Sequence, residues 1–351
     1  MRVTLPYDRP IVANYRLSSG PRFGLASLYP ALLLALIALT MVVPQRTGLL
    51  ALAEVFAPFL FLPLVLLVPF AFARDAAGLR VLLFVSVLVF TARHVPMPSF
   101  GPVGETPAGP RISVLSWNVF IGNGPYDDFR EVLLTRPADV VVLQESPWDE
   151  IERDPAVAGV YPYRLVGEHE AAPGMALLSA YPVLEHGTLD GERSLFDIPR
   201  LLWARLDLGE GRSVTVVSAH PLSPYTTGRQ CALVVCFDPA WRDEQIDAMR
   251  SRFITPLLES GEPFVLAGDF NVTDREPAYR DLSAGLRDAF RAAGEGVGTT
   301  WRPAFLMAQD VALLRIDYQF SSPNVVALRA TTDCTPRGSD HCIVSAEYVV
   351  R

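Results

Sequence analysis

The sequence predicts an α/β domain that follows a helical membrane anchor, and three observations lead to this. The chain divides near Arg111: residues 1–110 hold four acidic residues and eight arginines, whereas residues 111–351 hold 34 acidic residues and 22 arginines. The first part contains long apolar stretches without charge. In the second part, several strand-like segments end in polar side chains, which is typical of the sheet edges where α/β folds place their sites. We therefore expect an anchor over residues 1–94, a linker over 95–110 and one domain over 111–351.

Three apolar stretches predict the anchor. Residues 25–43 carry no charge, and they are long enough for a helix to cross about 30 Å of hydrocarbon. Residues 48–73 contain one acidic residue and three prolines, a pattern that membrane helices tolerate as a kink. Residues 81–92 form a shorter stretch with an arginine just outside each end, whose side chain can reach an interface. A cleaved signal peptide is the alternative for the first stretch, but more apolar stretches follow and no cleavage-like site is evident.

The distribution of arginine predicts on which side of the membrane the domain lies. In a three-span arrangement, six arginines precede the first span or lie between the second and third, and only Arg46 and Arg93 lie on the opposite side. This excess favours a cytoplasmic N-terminus and an extracytoplasmic domain of a multi-pass protein of the cell membrane. Two spans would instead leave the domain in the cytoplasm. Residues 95–110 are rich in proline and glycine and are predicted to be a semi-rigid linker.

The stretch VLAGDFN, residues 265–271, is the centre of the predicted site. The apolar residues 264–266 indicate a buried strand, and Gly268 permits a sharp turn at its end. Such a turn presents Asp269 and Asn271 at the C-terminal edge of a sheet. A carboxylate and an amide two residues apart suit the orientation and deprotonation of a water molecule.

Other strand-like segments carry polar residues in the same way. The segments predicted as strands with a polar residue at or beside the end are 111–120 with Asn118, 139–143 with Glu145, 213–219 with His220, and 342–350 with Asp340 and His341 before it. Residues 315–321 are predicted as a strand with Asp317 in its middle. Convergence of so many polar groups at one sheet edge is typical of a site and not of a core.

The remaining elements are predicted from periodicity. Residues 175–179, 201–206 and 325–330 are predicted as further strands. Residues 242–258 have helical spacing, with Ile246, Met249, Phe253 and Leu257 on one face. Shorter helices are predicted around residues 131–135 and 274–282.

The types of these residues point to metal-assisted chemistry on a phosphoester. Glu145 and Asp340 are hard oxygen donors that suit Mg²⁺ or Mn²⁺, and an acid directly after a buried strand needs such a partner. The cysteines and histidines lack the spacing of a zinc site. Neither a Gly-x-Ser-x-Gly elbow nor a Walker-type glycine-rich loop is present, so serine-hydrolase and nucleotide-kinase functions have no support.

Each polar group has a role in that chemistry. Asp317 orients His341, and the pair either holds an imidazolium against developing negative charge or transfers a proton. Asp269 orients the attacking water. Asn118, Asn271 and His220 donate hydrogen bonds to phosphoryl oxygens. Together they describe hydrolysis without a covalent enzyme intermediate.

The ordered motifs SWNV, LQES, SAHPLSP, GDFN, RIDY and SDH resemble the endonuclease/exonuclease/phosphatase superfamily over about residues 111–351. The resemblance implies a four-layer α/β sandwich, with two packed mixed sheets and helices outside them. It implies that the eight positions named above bind metal and phosphate, with Glu145, Asp340 and Asn118 as the metal set. One departure is Phe120, where abasic-site endonucleases have an acid, and this disfavours repair-type cleavage of DNA. Asn123 is expected to supply the missing polar group for substrate binding.

The charge of residues 111–351 and the predicted membrane anchor both indicate the class of substrate. A nuclease holds a polyanion on a basic stripe, whereas residues 111–351 have a formal charge of −12 and the chain has no lysine. The anchor favours a substrate at the bilayer surface, and the chain resembles the membrane-anchored branch linked to teicoplanin and vancomycin resistance, that of undecaprenyl-pyrophosphate phosphatases. We therefore expect a lipid-linked phosphate or pyrophosphate as substrate. An anchored nuclease and a sphingomyelinase-type phosphodiesterase are the alternatives. A binding module on an inactive scaffold would require a lost site residue, and none is lost.

The four cysteines form two near pairs in the domain, Cys231 with Cys236 and Cys334 with Cys342. Outside the cytoplasm such pairs are expected to form disulfides. A bridge from Cys334 to Cys342 would brace the turn that carries His341. Four reduced, packed thiols are the alternative.

Overall fold

The computed structural model describes residues 24–44, 46–95, 108–120, 124–135, 138–167, 174–189, 200–224 and 237–351. The predicted substrate-binding residue Asn123 and the pair Cys231 and Cys236 lie outside the described residues. The chain divides into two compact units. One contains residues up to 39 and residues 57–95, and the other contains residues 40–56 and the chain from residue 96 to the end.

The helices that precede the sheets are α1 (Leu28–Val42), α2 (Gly48–Val55), a 3₁₀-helix (Ala57–Phe72) and α3 (Ala77–His94). Residues 25–42 and 77–94 are each long and apolar enough to cross a membrane, and α2 with the 3₁₀-helix counts as a third candidate if this pair, bent by 74°, is one span. The predicted kink is therefore a sharp break at Phe56. The third predicted stretch, residues 81–92, is shorter than the helix found there. Helix α3 includes Arg80 and Arg93, the arginines that flank the predicted stretch.

In the smaller unit, Leu33 and Ile37 of α1 pack with Phe61 and Leu64 of the 3₁₀-helix. Pro63 and Pro69 lie inside the 3₁₀-helix. Because proline has no amide hydrogen, it interrupts the regular α-helical ladder at these positions.

Residues 40–56 belong to the larger unit and contact it through both side chains and backbone. Arg46 forms a salt bridge with Asp281, with 2.7 Å between Nη2 and Oδ2. Arg275 donates from Nη2 to the carbonyl oxygen of Val55 at 2.9 Å. The backbone amide of Gly48 donates to the carbonyl of Phe237 at 3.2 Å. This stretch, predicted as part of the anchor, therefore packs with the domain.

Among the described residues, twelve strands form two six-stranded sheets. They are β1 (Arg111–Asn118), β2 (Val140–Gln144), β3 (Tyr163–Val166), β4 (Ala176–Ser179), β5 (Val183–Thr188), β6 (Leu201–Gly209), β7 (Arg212–Ala219), β8 (Phe264–Asp269), β9 (Arg287–Asp288), β10 (Asp317–Ser321), β11 (Val325–Asp333) and β12 (Ile343–Val350). The strand orders are β11-β12-β1-β2-β4-β3 and β5-β6-β7-β8-β10-β9. In each sheet the two central strands are parallel, β1 with β2 and β7 with β8, and the other described pairs are antiparallel.

Helices cover the outer faces of both sheets. The helices of the larger unit that follow β1 are α4 (Tyr126–Thr135), α5 (Trp148–Arg153), α6 (Pro155–Val160), α7 (Ala240–Met249), α8 (Thr255–Ser260), α9 (Pro277–Ser283) and α10 (Ala289–Ala293). Ala289 and Ala293 of α10 belong instead to the core between the sheets. Helices α4 to α6 pack on the outer face of the first sheet, and α7 and α9 pack on that of the second. The predicted four-layer sandwich of two mixed sheets flanked by helices is confirmed.

The alternation of side chains explains how the layers separate. Successive residues of a strand point to opposite faces. In β1, Val114 contributes to the core between the sheets and Leu115 to the core under the helices, and β8 divides in the same way at Val265 and Leu266. Burial on both faces explains why the central strands are almost continuously apolar.

The helix predicted over residues 242–258 is interrupted. Helix α7 ends at Met249, a wider π-helical turn covers Arg250–Ile254, and α8 begins at Thr255. Pro256 has no amide hydrogen to continue the ladder, which is consistent with the widened turn before it.

Gly268 lies inside β8 and not in a turn after it. Its φ is +148°, and a Cβ atom at this position would lie 2.0 Å from the carbonyl oxygen of Ala219 on β7. Only glycine fits, because it allows this backbone conformation and the close approach of the two central strands.

We predict that Gly268→Ala lowers the free energy of unfolding by about 2–4 kcal/mol, because the new methyl group forces β7 and β8 apart at a strained φ. Denaturant unfolding of the full-length protein in detergent measures this. The matched control is Gly159→Ala in α6, where a Cβ atom meets nothing within 4 Å. Equal stability of both variants would contradict the prediction.

Candidate active site

The four central strands bring their C-terminal ends to one edge of the sandwich. Asn118 is the last residue of β1 and Asp269 the last of β8, and His220 directly follows β7. All three continue the inward-facing alternation of their strands, so their side chains point between the sheets. Glu145 follows β2 with a φ of +50°, a left-handed conformation that is costly for a residue with a side chain.

Asn118 connects the two sheets at this edge. Its Nδ2 donates to Oε1 of Glu145 and to Oδ2 of Asp269, both at 3.1 Å. Its Oδ1 accepts from the backbone amide of Phe120 at 3.1 Å. Phe120, which stands where abasic-site endonucleases have an acid, therefore orients the Asn118 amide through its backbone.

His341 and Asp317 form the predicted pair. Nδ1 of His341 lies 3.0 Å from each carboxylate oxygen of Asp317, and Nε2 lies 3.7 Å from Oδ2 of Asp269. Burial alone would lower the pKa of His341, but the charges of Asp317 and Asp269 and the hydrogen bond to Asp317 raise it to about 10. At neutral pH His341 is therefore an imidazolium that donates hydrogen bonds.

The position predicted for Asp317, in the middle of a strand, was wrong. The strand begins at Asp317, directly opposite Asp269 in the antiparallel pairing of β10 with β8. Oγ1 of Thr300 accepts hydrogen bonds from the amides of Ile316 and Asp317, both at 3.1 Å, and the carbonyl oxygen of Ile316 accepts from the amide of Phe270 at 3.0 Å. Starting the strand here places Asp317 at the same edge as Asp269.

Asp269 is buried among charged groups. Burial raises its pKa to about 7, against the opposing effects of the His341 charge and of hydrogen bonds. The amide of Asn271 donates to its Oδ1 at 2.9 Å. A carboxylate with a pKa near neutrality is suited to accept a proton from water.

His220 differs from His341 in its charge. Its Nε2 lies 3.6 Å from Oδ2 of Asp269 and 3.7 Å from Oε1 of Glu145. Burial, together with the positive charges of Arg200 and His341, holds its pKa well below the usual value. It is therefore a neutral imidazole at neutral pH.

Asn271 is fixed by its neighbours in a left-handed conformation with φ +52°. Its Nδ2 donates to the carbonyl oxygen of Pro221 at 3.0 Å, and its own carbonyl oxygen accepts from Nη1 of Arg242 at 2.6 Å. One of its two amide hydrogens is thus engaged by the backbone, and the other makes a longer hydrogen bond to Oδ2 of Asp269 at 3.4 Å. The predicted contact with a phosphoryl oxygen would replace this longer bond.

Asp340 lies beside His341, with 3.8 Å between its Oδ1 and Nε2 of His341. Its Oδ2 accepts from Nε1 of Trp301 at 3.0 Å. Its Oδ1 is buried and has no hydrogen-bond partner among the described residues. A buried carboxylate oxygen without a donor is what a divalent cation satisfies.

The structure therefore brings together all the predicted site residues that it describes. They are Asn118, Glu145, His220, Asp269, Asn271, Asp317, Asp340 and His341. The oxygen donors fit a divalent cation. In addition to the predicted metal set, ligand atoms of Asp269, Asp317 and His341 lie within 4.8 Å of one another, although Asp317 already binds His341.

Arg200 is a site residue that the sequence analysis missed. It precedes β6, has a φ of +50°, and its carbonyl oxygen accepts from the amide of His220 at 3.0 Å. Burial lowers the pKa of its guanidinium, while the charges of Glu145 and Asp269 oppose this effect. Its Nε has no partner within the part of the chain that the structure describes. An arginine directly before an apolar strand was the only signal in the sequence.

The predicted disulfide between Cys334 and Cys342 is present. It closes the turn that carries Asp340 and His341. Buried Arg302 braces the same turn: its Nη1 donates to the carbonyl oxygen of Cys334 at 2.7 Å, and its amide donates to that of Asp340 at 2.9 Å.

We predict that the double substitution Cys334→Ser and Cys342→Ser lowers the free energy of unfolding by about 2–3 kcal/mol, because the unfolded chain gains the freedom of an open loop. A fall in the melting temperature of about 5–10 °C is expected for a domain of this size. Val311→Ser, at an exposed position, is the control. An unchanged melting temperature in the double variant would show that the bridge adds no stability.

Comparison with known proteins identifies the family and the fold of the chain. The model of the endonuclease/exonuclease/phosphatase family matches residues 115–341. No curated protein matches the chain. Among solved structures, the chain is similar to an endonuclease/exonuclease/phosphatase from Bacteroides vulgatus, at 18% identity with a TM-score of 0.51 over 69% of this chain and 99% of that one.

Two further structures share the fold. A conserved protein from Enterococcus faecalis V583 is 15% identical, with a TM-score of 0.53 over 68% of this chain and 100% of that one. The human nocturnin catalytic domain is 16% identical, with a TM-score of 0.52 over 70% of this chain and 97% of that one. The chain belongs to the endonuclease/exonuclease/phosphatase family of metal-dependent phosphoester hydrolases.

Proposed function

We propose that the protein hydrolyses a lipid-linked phosphate or pyrophosphate at the outer surface of the cell membrane. The observation that carries this proposal is the presence of candidate membrane spans in the same chain as the hydrolase site. A membrane-bound enzyme meets lipid substrates at a high local concentration. The formal charge of −12 over residues 111–351 and the absence of lysine disfavour a polyanionic nucleic acid.

The contacts of residues 40–56 support three membrane crossings. Arg46 and Val55 contact the domain, so this stretch and the domain are on the same side of a membrane. An even number of crossings then lies between Phe56 and the domain. We assign one to α3, which is long and apolar enough by itself, and one to the 3₁₀-helix, which counts as a candidate span only together with α2. Together with α1 this gives three spans, and the arginine distribution then favours an extracytoplasmic domain.

The site residues divide the work of hydrolysis. Asp269 orients the attacking water and accepts its proton as the water oxygen bonds to phosphorus and the bond to the leaving oxygen breaks. His341, held charged by Asp317, donates a hydrogen bond to a phosphoryl oxygen as negative charge develops there. Asn271 and neutral His220 donate to the other phosphoryl oxygens. Asn118, predicted as a further donor, uses its two amide hydrogens for Glu145 and Asp269 and so positions these two carboxylates.

A divalent cation, Mg²⁺ or Mn²⁺, would be held by Glu145, Asp340 and Asn118, and when bound it would neutralise phosphate charge and polarise the phosphorus–oxygen bond. Arg200 adds a guanidinium that binds phosphoryl oxygens in a planar, two-pronged geometry. We also propose that the protein belongs to the membrane-anchored branch of the family, that of the undecaprenyl-pyrophosphate phosphatases.

The substrate is tested with the full-length protein in detergent. The products measured are inorganic phosphate from the isoprenoid lipid, nicked circles from plasmid DNA and phosphocholine from sphingomyelin. Undecaprenyl pyrophosphate, plasmid DNA and sphingomyelin are offered with and without Mg²⁺. We expect Mg²⁺-dependent release from the isoprenoid lipid, and a loss of about 100-fold or more in Asp317→Asn, in which His341 loses its anionic partner. Glu185→Gln, on an exposed edge strand, is the control. Nicked plasmid or hydrolysed sphingomyelin without turnover of the isoprenoid lipid would favour the nuclease or the sphingomyelinase alternative.

Arg200 gives a separate prediction. Arg200→Gln should lower kcat/KM by about 10- to 100-fold, because a charged donor to the phosphate is removed. The inhibition constant of inorganic phosphate should rise in Arg200→Gln and recover in part in Arg200→Lys. Inhibition by phosphate that is unchanged in Arg200→Gln would exclude a phosphate-binding role.

A further inference from the structure

The loop that follows β8, residues 270–276, is held by one buried arginine. We call it the catalytic loop because it carries Asn271. Arg242 of α7 is 2% exposed. Its Nη1 donates to the carbonyl oxygen of Asn271 at 2.6 Å, and its Nη2 donates to Oε2 of Glu276 at 2.8 Å. Oε1 of Glu276 accepts from the amide of Thr273 at 2.7 Å. The position of Asn271 therefore depends on where Arg242 is held.

Asp243 holds Arg242 from the other side. Its Oδ1 accepts from Nε and Nη2 of Arg242 at 3.0 and 2.8 Å. Its second oxygen, Oδ2, lies 3.6 Å from Nη1 of Arg46. One carboxylate thus connects the arginine under the catalytic loop with an arginine of residues 46–56, which we call the bridging segment.

The bridging segment also contacts the catalytic loop directly. Arg275 is a residue of the loop, and its Nε and Nη2 both donate to the carbonyl oxygen of Val55, at 3.3 and 2.9 Å. Ala51 and Val55 of α2 are buried, whereas Leu49 is more than half exposed. The two contacts lie near opposite ends of the bridging segment.

Arg46 also neutralises a group of acids. Its Nη2 lies 2.7 Å from Oδ2 of Asp281 on α9. The pKa of Asp247 is raised by burial and by the charges of Asp281 and Asp243, whereas Arg46 lowers it. Without Arg46, the carboxylates of α7 and α9 repel one another beside Arg242.

We propose that the bridging segment, which lies between α1 and the 3₁₀-helix, positions the catalytic loop and so makes hydrolysis depend on the membrane anchor. This rests on the phosphoester hydrolysis assigned above and names a positioning role for Arg46 and Val55 that acts through Arg242 and Arg275. The anchor then does more than tether the domain, because part of it completes the support of Asn271.

The test uses full-length variants in detergent and a small soluble phosphoester, p-nitrophenyl phosphate or its bis ester, so that access to lipid plays no part. We expect Arg46→Glu to lower kcat by about tenfold with KM within about twofold, because the loop is misplaced and not removed. Arg46→Lys, which keeps the charge, should stay within about twofold of the unchanged protein. Arg205→Glu, which removes an exposed ion pair with Glu185 on an edge strand, is the matched control.

A second measurement separates this proposal from the proposed function. Hydrogen exchange of the amides of Asn271 and Thr273 should become faster in Arg46→Glu, while exchange in β8 and the melting temperature stay unchanged. Faster exchange supports the positioning role even if the protein cleaves no ester. A failure to cleave any ester would overturn only the proposed hydrolysis. Equal kcat and equal exchange in Arg46→Glu and the unchanged protein would overturn the positioning role. A fall in melting temperature with unchanged kcat would do so too.

Discussion

The site depends on the parallel pairing at the centre of each sheet. Parallel strands end at the same edge, so β1 with β2 and β7 with β8 deliver four chain ends to one place when the sheets pack face to face. The Asn118 amide then joins Glu145 of one sheet to Asp269 of the other. If the two central strands of each sheet were antiparallel, their C-terminal ends would lie at opposite edges of the sheet. Gly268 serves the same arrangement, since any side chain there would separate β7 from β8.

Neighbouring charges give two equally buried histidines different charge states. Both lie within 4 Å of Asp269, yet His341 has a pKa of about 10 and His220 is held neutral. The difference is Asp317, which binds Nδ1 of His341, against Arg200, whose charge opposes protonation of His220. A pair with separated pKa values provides one charged donor and one neutral donor in the same small volume.

The parts of the fold that sequence predicts are those in which periodicity and burial agree. The central strands have apolar runs that end in polar residues, so Asn118, Glu145 and Asp269 could be placed before the structure was known. Edge strands β3 and β5 were missed because they are short and largely exposed and so lack that pattern. Arg200 was missed because its role depends on a left-handed backbone and on neighbours distant in sequence. The amide of Asp317, the first residue of β10, binds Thr300, 17 residues earlier, and no local pattern in the sequence indicates such a contact.

Strained backbone conformations at the site explain why residues far from the reacting groups are needed to hold it in place. Glu145 and Asn271 both adopt left-handed conformations, which cost about 1–3 kcal/mol each and persist only where surrounding contacts impose them. Asn271 is held by Pro221 and by Arg242, and a fully buried guanidinium is itself costly unless every charge around it is paired. Arg242 meets this condition through Glu276 and Asp243, and Asp243 is shared with Arg46. The conformation of one active-site asparagine is therefore tied, through paired buried charges, to a residue between two candidate membrane spans.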